Sequence, residues 1–521
     1  MTLIFATLLI TLLTLTIATI VIYFKRAFTY WKRKGVPSPI PRIPFGTATN
    51  IILQKSTFAE ELKNIYEEYK NKGFKYAGFY FLTRPVLLVF DPELIKHILV
   101  KDFEHFSDHG TYLNEESDPL TGNLLCLKGL KWKNLRAKLT PTFTSGKMKM
   151  MFQTLLDCTN EIKNVMNKTV ESNECIDIKE TVGRITTDII GSCAFAIECN
   201  SLNNPNSEFR KYGKKVFEVE GVQAIKCFLS LCFPSILHFF NAALIQKDVT
   251  NFFMGVVKEA VDYRETNNII RKDFMHLLIQ LRNNVEIRDE DDVGSIRQTG
   301  ITSKSEIGKS LTMSELAAQA FVFFLAGFET SSTALTFCFY ELVANLDVQE
   351  ELRKEIKDIL GKYNDKLTYE AMVEMTYMDK CISEAFRKHP PSSFLRRECS
   401  KAYTFPATDL TIEKGTMVLL PTFGIHRDPK YYPNPEKFDP ERFNPENKAK
   451  RPPFTWLPFG GGPRICIGYR FAWMQMKVVL AVLLKDYKFT LNPKTETPLV
   501  LNPKNFLLGI RGGLWLNVEK V

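Results

Sequence analysis

Nothing in this 521-residue chain restricts its architecture more than a ten-residue loop near the C-terminus, Phe459-Gly460-Gly461-Gly462-Pro463-Arg464-Ile465-Cys466-Ile467-Gly468. Three successive glycines give up side chains, so backbone can pass close to a flat, bulky partner. Arg464 adds a guanidinium, which grips an anionic carboxylate in a fork geometry. Cys466 stands without a second cysteine beside it. As a thiolate it can coordinate a metal, and a single axial thiolate suits haem iron, where it donates electron density that favours O–O cleavage. The competing reading is a structural cysteine buried beside a turn, a common fate of a lone thiol.

The chain is 45% hydrophobic and contains 40 Phe, ample for a large core and longer than the usual single domain, although large single catalytic domains occur. Its 11 cysteines are irregularly spaced, which argues against a disulfide scaffold and for a reducing compartment. The net charge of +10 is modest, and half of it comes from Lys25, Arg26, Lys32, Arg33 and Lys34. No basic stripe is interleaved with aromatics, which excludes nucleic acid as the expected partner.

Leu3 to Phe24 carries no charge and is long enough to cross a bilayer as a helix. It lacks the basic n-region and small-residue cleavage site of a removable signal. The cations behind it should stay cytoplasmic. The expectation is a transmembrane signal anchor over 1–24, a basic, proline-rich linker over 25–50, and a cytosolic catalytic domain over 51–521. The sequon Asn167-Lys168-Thr169 should then escape glycosylation. Pro37-Ser38-Pro39-Ile40-Pro41 opens a stiff, extended spacer that sets the angle between anchor and body.

Phe79–Leu82 and Pro85–Phe90, separated by Thr83-Arg84, read as a hairpin. From Asp91 to about Lys401 helical periodicity dominates, and strand-like pieces return at Leu410–Glu413, Thr416–Leu420 and beyond Tyr487. Asn283–Ser305 is polar and charged, an expected exposed loop. The overall expectation is mainly α with small β-sheets. Cys227–Ile245 is apolar but broken by proline. It is either a core helix or a surface dipping into the membrane, and the second is favoured because an exposed apolar patch needs a reason.

The strongest helical signal runs from Met313 to Leu346, with Thr312 and Glu315 at capping-box spacing. At 1.5 Å per residue it would extend about 50 Å, buried on nearly every face from Ala317 to Phe328. Within it, Ala326 and Gly327 remove bulk, so a ligand can approach the backbone. Glu329 follows, a carboxylate that is costly there unless paired or hydrated. Thr330 next to it either bonds back to the Ala326 carbonyl or takes part in proton delivery. Glu384 and Arg387 lie at i and i+3, a pair worth almost nothing on a surface. Trp132 and Arg136 lie at i and i+4. His105 and His109 share that spacing, but without a third ligand nearby chance explains them better than zinc.

With Phe459, Gly460, Arg464, Cys466 and Gly468 at their spacing, the cysteine loop resembles that of the cytochrome P450 monooxygenases. Four further elements agree with that family in order: Trp132/Arg136, Ala326–Thr330, Glu384/Arg387, and Arg442 in Pro440-Glu441-Arg442-Phe443. Asp118-Pro119-Leu120, Thr140–Met148 and Pro421–Pro429 look more specifically like insect microsomal family-6 enzymes. The resemblance implies the cytochrome P450 fold and haem b (iron protoporphyrin IX) ligated by Cys466. Arg464, Trp132 and Arg136 would hold its propionates, with Phe459, Gly460, Gly468 and Ala326 close to the ring. Thr330 would hold dioxygen and water while Glu329 feeds protons. Glu384, Arg387 and Arg442 would form a buried network that shapes the loop. Tyr112, Leu120, Phe324, Ala326 and Phe394 are the implied substrate-lining positions. The chain departs from the pattern at Asp108-His109-Gly110, where arginine is expected in the middle, and at Thr121-Gly122-Asn123. Both lie in a loop that borders substrate, so they bear on substrate choice.

The implied activity inserts one atom of O2 into a lipophilic substrate and reduces the other to water. The substrate classes left open are plant toxins, insecticides, hormones and fatty acids. Electrons would come from NADPH through NADPH-cytochrome P450 reductase, with cytochrome b5 as an optional second donor, at the endoplasmic reticulum membrane. The chain has no GxGxxG between strand and helix, so it should not bind NADPH itself. Lys131, Lys133, Lys138 and Lys477 would form a basic face for an acidic reductase. Two alternatives stand beside this reading. One is a peroxide-using haem-thiolate isomerase, against which the Glu329-Thr330 pair argues. The other is a membrane-tethered haem-binding carrier or sensor without turnover.

Overall fold

The computed structural model describes residues 2–195, 197–217, 220–283 and 310–521. The polar stretch expected as a loop, Asn283–Ser305, lies outside the described residues apart from Asn283. The chain begins with helix α1, Thr2–Ala27, whose apolar side chains stand largely uncovered: Leu3 is 83% exposed and no residue of its most apolar stretch is buried. Thr11, Thr14, Thr16 and Thr19 each donate to the carbonyl four residues back, so the hydroxyls need no outside partner.

A short helix α2, Tyr30–Arg33, then docks on the body. Trp31 is fully buried, its indole N–H donating to the Phe79 carbonyl (3.1 Å) and its backbone N–H to the Tyr80 hydroxyl (3.0 Å). Lys34 pairs with Glu413 at 2.6 Å. Arg42 and Gly46 exchange backbone hydrogen bonds, with Gly46 at φ +69°. The basic, proline-rich stretch is thus attached to the body of the fold rather than standing free, because Trp31 brings more apolar surface than a solvated spacer can leave exposed.

Strands β1, Tyr76–Phe81, and β2, Arg84–Val89, pair antiparallel with Phe81 opposite Arg84. The turn is therefore Leu82-Thr83, one residue earlier than the sequence suggests, with Leu82 at φ +49°. Helices α3 (Gly129–Leu139) and α4 (Ser145–Ser172), strand β3 (Ile176–Asp177) and helix α5 (Ile178–Ile190) follow. Next come α6 (Gly221–Cys232), α7 (Pro234–Phe239) and α8 (Lys247–Thr266). The stretch around Cys227–Ile245 is therefore two helices and a connection, and it is not plain core, since Phe239 is 83% and Phe240 71% exposed.

Helix α9, Met313–Ala344, is the spine. Its capping box forms as the spacing implies: the Glu315 N–H donates to the Thr312 hydroxyl (3.1 Å) and the Thr312 N–H to the Glu315 carboxylate (2.9 Å). It stops two residues before Leu346, because Asn345 leaves helical geometry at ψ +77°. It packs most heavily on α5, where Gly327 makes room for the Ile190 side chain: a Cβ there would lie 2.4 Å from Ile190 Cδ1 and push that side chain aside. Helix α10, Thr376–Lys388, leads into β4 (Leu395–Glu398), the small hairpin β5 (Tyr403–Thr404) and β6 (Thr411–Ile412), and β7 (Met417–Leu420). Helix α11, Tyr469–Asp486, and strands β8 (Tyr487–Leu491) and β9 (Trp515–Lys520) close the chain.

The four-stranded sheet has the order β1-β2-β7-β4, and β3-β9-β8 forms a second. One apolar cluster surrounds α9, α4, α5, α8 and α11; another surrounds the four-stranded sheet and includes Trp31. The fold is mainly helical with small sheets, as the periodicity implies.

Candidate active site

The cysteine loop enters α11 along a path only glycine can follow. Gly460 and Gly462 sit at φ +77° and +67°, and a Cβ on Gly462 would lie 1.8 Å from the Leu99 carbonyl oxygen. The Cys466 N–H donates to the Phe459 carbonyl at 2.9 Å, which closes the loop. Phe459 packs edge-on against Phe386 of α10 at 4.9 Å. Cys466 keeps open surface although it lies deep in the molecule. Burial pushes its thiol pKa up, while the Gly468 amide and the Arg136 charge pull it back. A thiolate at this depth therefore needs a cation bonded to it, which fits a metal ligand.

Above and beside the loop lies an unusual concentration of buried cations. Arg464 stacks on the Trp132 ring with its Cζ 3.8 Å from the ring centroid, and donates to the carbonyls of Ser107 (2.7 Å), Leu124 (3.1 Å) and Leu127 (2.8 Å). Its carboxylate neighbour, Asp108, is 3.6 Å away. Arg397 of β4 is buried, spends Nη1 on the Arg396 carbonyl, and leaves Nε without a partner. Arg396 reaches the Gly110 carbonyl and also leaves Nε unpartnered. His109 lies against Arg397 and Arg464, its Nδ1 on the Leu125 carbonyl at 3.0 Å.

Burial presses Arg464 down to about 9, Arg396 and Arg397 to about 10, and His109 to about 3. Arg136, one turn after Trp132 on α3, is lowered for the same reason. Buried cations with so few counter-charges are costly unless a ligand brings anions. The donor set fits a group carrying carboxylates next to Cys466. Sequence reasoning missed Arg396 and Arg397; the signal was two adjacent arginines in a strand otherwise destined for the sheet.

Helix α9 contributes a second opening. Ala326 is exposed in the middle of a largely buried helix, while Phe324 and Phe328 on either side are buried. The Thr330 hydroxyl donates to the Ala326 carbonyl, the local bond weighed from the sequence. Glu329 is paired with Lys179 of α5 at 3.6 Å, both partly open, so the carboxylate is not stranded. Lys179 is a third residue the sequence did not single out.

The Glu384–Arg387 pair is fully buried, with Arg387 Nε 2.7 Å and Nη2 2.9 Å from the carboxylate oxygens. Arg442 Nε lies 3.3 Å from Glu384, and the Asp439 N–H donates to it at 3.0 Å. Arg387 also donates to the carbonyl of His426 (2.9 Å), whose Nε2 accepts the Leu457 N–H (2.8 Å) two residues before Phe459. The network therefore reaches the cysteine loop.

Other sequence expectations change. Lys477 is only 3% exposed and donates to the Met375 carbonyl and Asp379, both at 2.9 Å, so it belongs to the core and not to a basic face. Lys131 and Lys133 are exposed, Lys131 pairing with Glu115 at 2.7 Å. Of the five implied lining positions only Ala326 carries open surface. Phe324 is enclosed by Phe209, Phe253 and Phe328, and Leu120 is fully buried. Tyr112 is tied to the Ala242 carbonyl and Phe394 packs on Phe58. His105 packs at a tilt against Tyr403 while His109 turns to Leu125, and no group of three metal-ligating side chains occurs among the described residues.

A family model described as Cytochrome P450 matches residues 37–516. The chain belongs to the cytochrome P450 family. It is 40% identical to the probable cytochrome P450 6a14 of Drosophila melanogaster over 95% of this chain and 96% of that one. It is 40% identical to cytochrome P450 6A1 of Musca domestica over 97% and 96%, and 41% identical to cytochrome P450 6k1 of Blattella germanica over 96% and 94%. The relatives are insect family-6 P450s, as the resemblance implied. As a P450 the protein is a haem-thiolate monooxygenase that binds haem b, draws electrons from a reductase partner and acts on lipophilic substrates.

Proposed function

We propose that Cys466 would bind the haem of this P450 as a thiolate and that the buried cations around it would hold the haem carboxylates. The observation that carries this is a thiol with open surface deep in the molecule, beside buried arginines that outnumber their carboxylate neighbours and of which Arg396 and Arg397 leave Nε unpartnered. When bound, haem supplies the oxidising chemistry that transfers one oxygen atom from O2 to a lipophile. The rest falls to the chain. Phe459, Gly460 and Gly468 let the loop approach a flat ring, and Arg464, Arg397, Arg136 and Trp132 grip its carboxylate edge. Ala326 leaves room for substrate against α9. Thr330 can turn its hydroxyl from the Ala326 carbonyl to hold a water in that groove. Glu329, tethered to Lys179 on its open side, collects protons from solvent and passes them to the Thr330 Oγ. Glu384, Arg387 and Arg442 position the loop without touching reactants.

The same reading makes α1 a single-pass anchor in the endoplasmic reticulum with the body cytosolic. It lets Phe239 and Phe240 meet the bilayer, and gives Lys131 and Lys133 to reductase docking, with cytochrome b5 as an optional donor. The expected substrates are xenobiotics such as plant toxins or insecticides, or endogenous lipids and hormones. The deciding experiment is the reduced, carbon-monoxide-treated spectrum: the parent should show the red-shifted Soret band of thiolate-ligated haem and Cys466→Ala should not. Identical spectra for the two would refute the assignment.

A further inference from the structure

Asp118 is fully buried and has no role in the chemistry described above. It stands before the turn Pro119–Thr121, in the loop between β2 and α3. Its Oδ2 accepts two consecutive backbone N–H groups, those of Leu244 (2.9 Å) and Ile245 (2.8 Å), while Oδ1 is buried without a partner. Burial raises its pKa, opposed by those two amides and by Lys226. A half-satisfied buried carboxylate is more costly than packing alone requires.

What it holds is the connection between α7 and α8. From the same loop, Tyr112 donates to the Ala242 carbonyl (2.7 Å) and Asn114 to the Asn241 side chain (2.6 Å). From α6, Gln223 and Lys226 donate to the carbonyls of Leu244 (2.7 Å) and Ala243 (2.9 Å). The segment Asn241–Ile245 has no regular structure, so its stability rests on these side chains. It directly follows Phe239, the last residue of α7, and Phe240 beyond it, both strongly exposed. The loop itself is anchored on the other side. Buried Gln319 of α9 accepts the Leu124 N–H (2.9 Å) and donates to the Gly122 carbonyl (3.1 Å). Gln319 precedes Ala326 by seven residues, about 10 Å along the helix.

We propose that Asp118 is a positioning residue for substrate passage. It latches Asn241–Ile245 against the loop fixed to α9, and its release opens a path from the lipid-facing side of α7 to the groove at Ala326. The latch thereby sets which lipophiles enter and how fast. This rests on the reading that α7 meets the bilayer and that Ala326 borders substrate.

The test uses the full-length protein in phospholipid nanodiscs, comparing the parent with Asp118→Ala and Asp118→Asn. Asp118→Ala should raise hydrogen exchange in peptides covering 241–245 by about tenfold, the scale of one or two lost hydrogen bonds. It should also raise the association and dissociation rates of n-octylamine together, by several-fold, with the rate for carbon monoxide unchanged. Asp118→Asn keeps an acceptor for the amides and should stay near the parent. Unchanged exchange overturns the proposal. So does faster exchange without faster n-octylamine kinetics, or an equal rise for n-octylamine and carbon monoxide, which marks general loosening. Asn114→Ala, which removes one outer bond and leaves the interior intact, should shift the same readings less; no shift in either variant also overturns it. A parent lacking the thiolate-haem spectrum would sink the Cys466 assignment instead, while the exchange data would still decide the latch.

Discussion

Glu384 and Arg387 carry opposite charges without exposure, and each also satisfies backbone groups of the segment leading to the cysteine loop. Removing one partner of such a pair strands the other, at about 3–5 kcal/mol. Arg387→Ala should therefore lose stability on that scale and fail to incorporate haem, read by denaturant melts and pigment content. Arg397→Ala removes a gripping cation without exposing a carboxylate, so it should keep its fold and release haem faster to apomyoglobin. Histidine sets the pH response. Burial lowers His426 to about 3 and His389 to about 4, against about 6.5 in an unfolded chain. Below pH 6.5 the unfolded chain binds protons the folded one refuses. Stability is thus full above that point and falls by about 1.4 kcal/mol per pH unit for each group on acidification. Denaturant midpoints should drop between pH 6.5 and 5, and less steeply in His426→Asn.

At the scale of elements, the join between the N-terminal helix and the body centres on Trp31 packed against Gly78. A Cβ on Gly78 would meet the Trp31 ring at 2.4 Å. Gly78→Ala should cost about 1–3 kcal/mol by overpacking. It should also expose Arg33 and Lys34 to trypsin, and an unchanged digestion pattern would contradict the docked join. The α9 cap and the β1–β2 hairpin were readable in advance because their signals are local: a Thr and Glu three apart, and two apolar runs around a tight turn. Phe324 was not, since nothing in α9 alone says that Phe209 and Phe253 cover that face while Ala326 is left open.

For the whole molecule, charge placement separates docking from folding. Lys131→Ala with Lys133→Ala should raise the KM for reductase and flatten its salt dependence, because rim charges act mainly on encounter. Lys477→Ala should lower stability instead, since its buried ammonium is held by the Met375 carbonyl and Asp379. Asn167 is bound through its side-chain oxygen to the Tyr487 hydroxyl at 2.8 Å, in a body expected to face the cytosol. Glycosidase treatment should leave its gel mobility unchanged.

Sequence alone determined what depends on neighbours along the chain: the glycine path that presents Cys466, the order Ala326-Gly327-Phe328-Glu329-Thr330, the uncharged N-terminal helix, and the helical class. Tertiary structure alone decided what depends on sums over distant segments. Arg396, Arg397, Arg464 and His109 become a buried cation cluster only when β4, the cysteine loop and the loop before α3 converge. Asp118 becomes a latch only when residues 244–245 fold against it. Burial and charge are properties of a place, and a place is made by contacts between residues far apart in the chain.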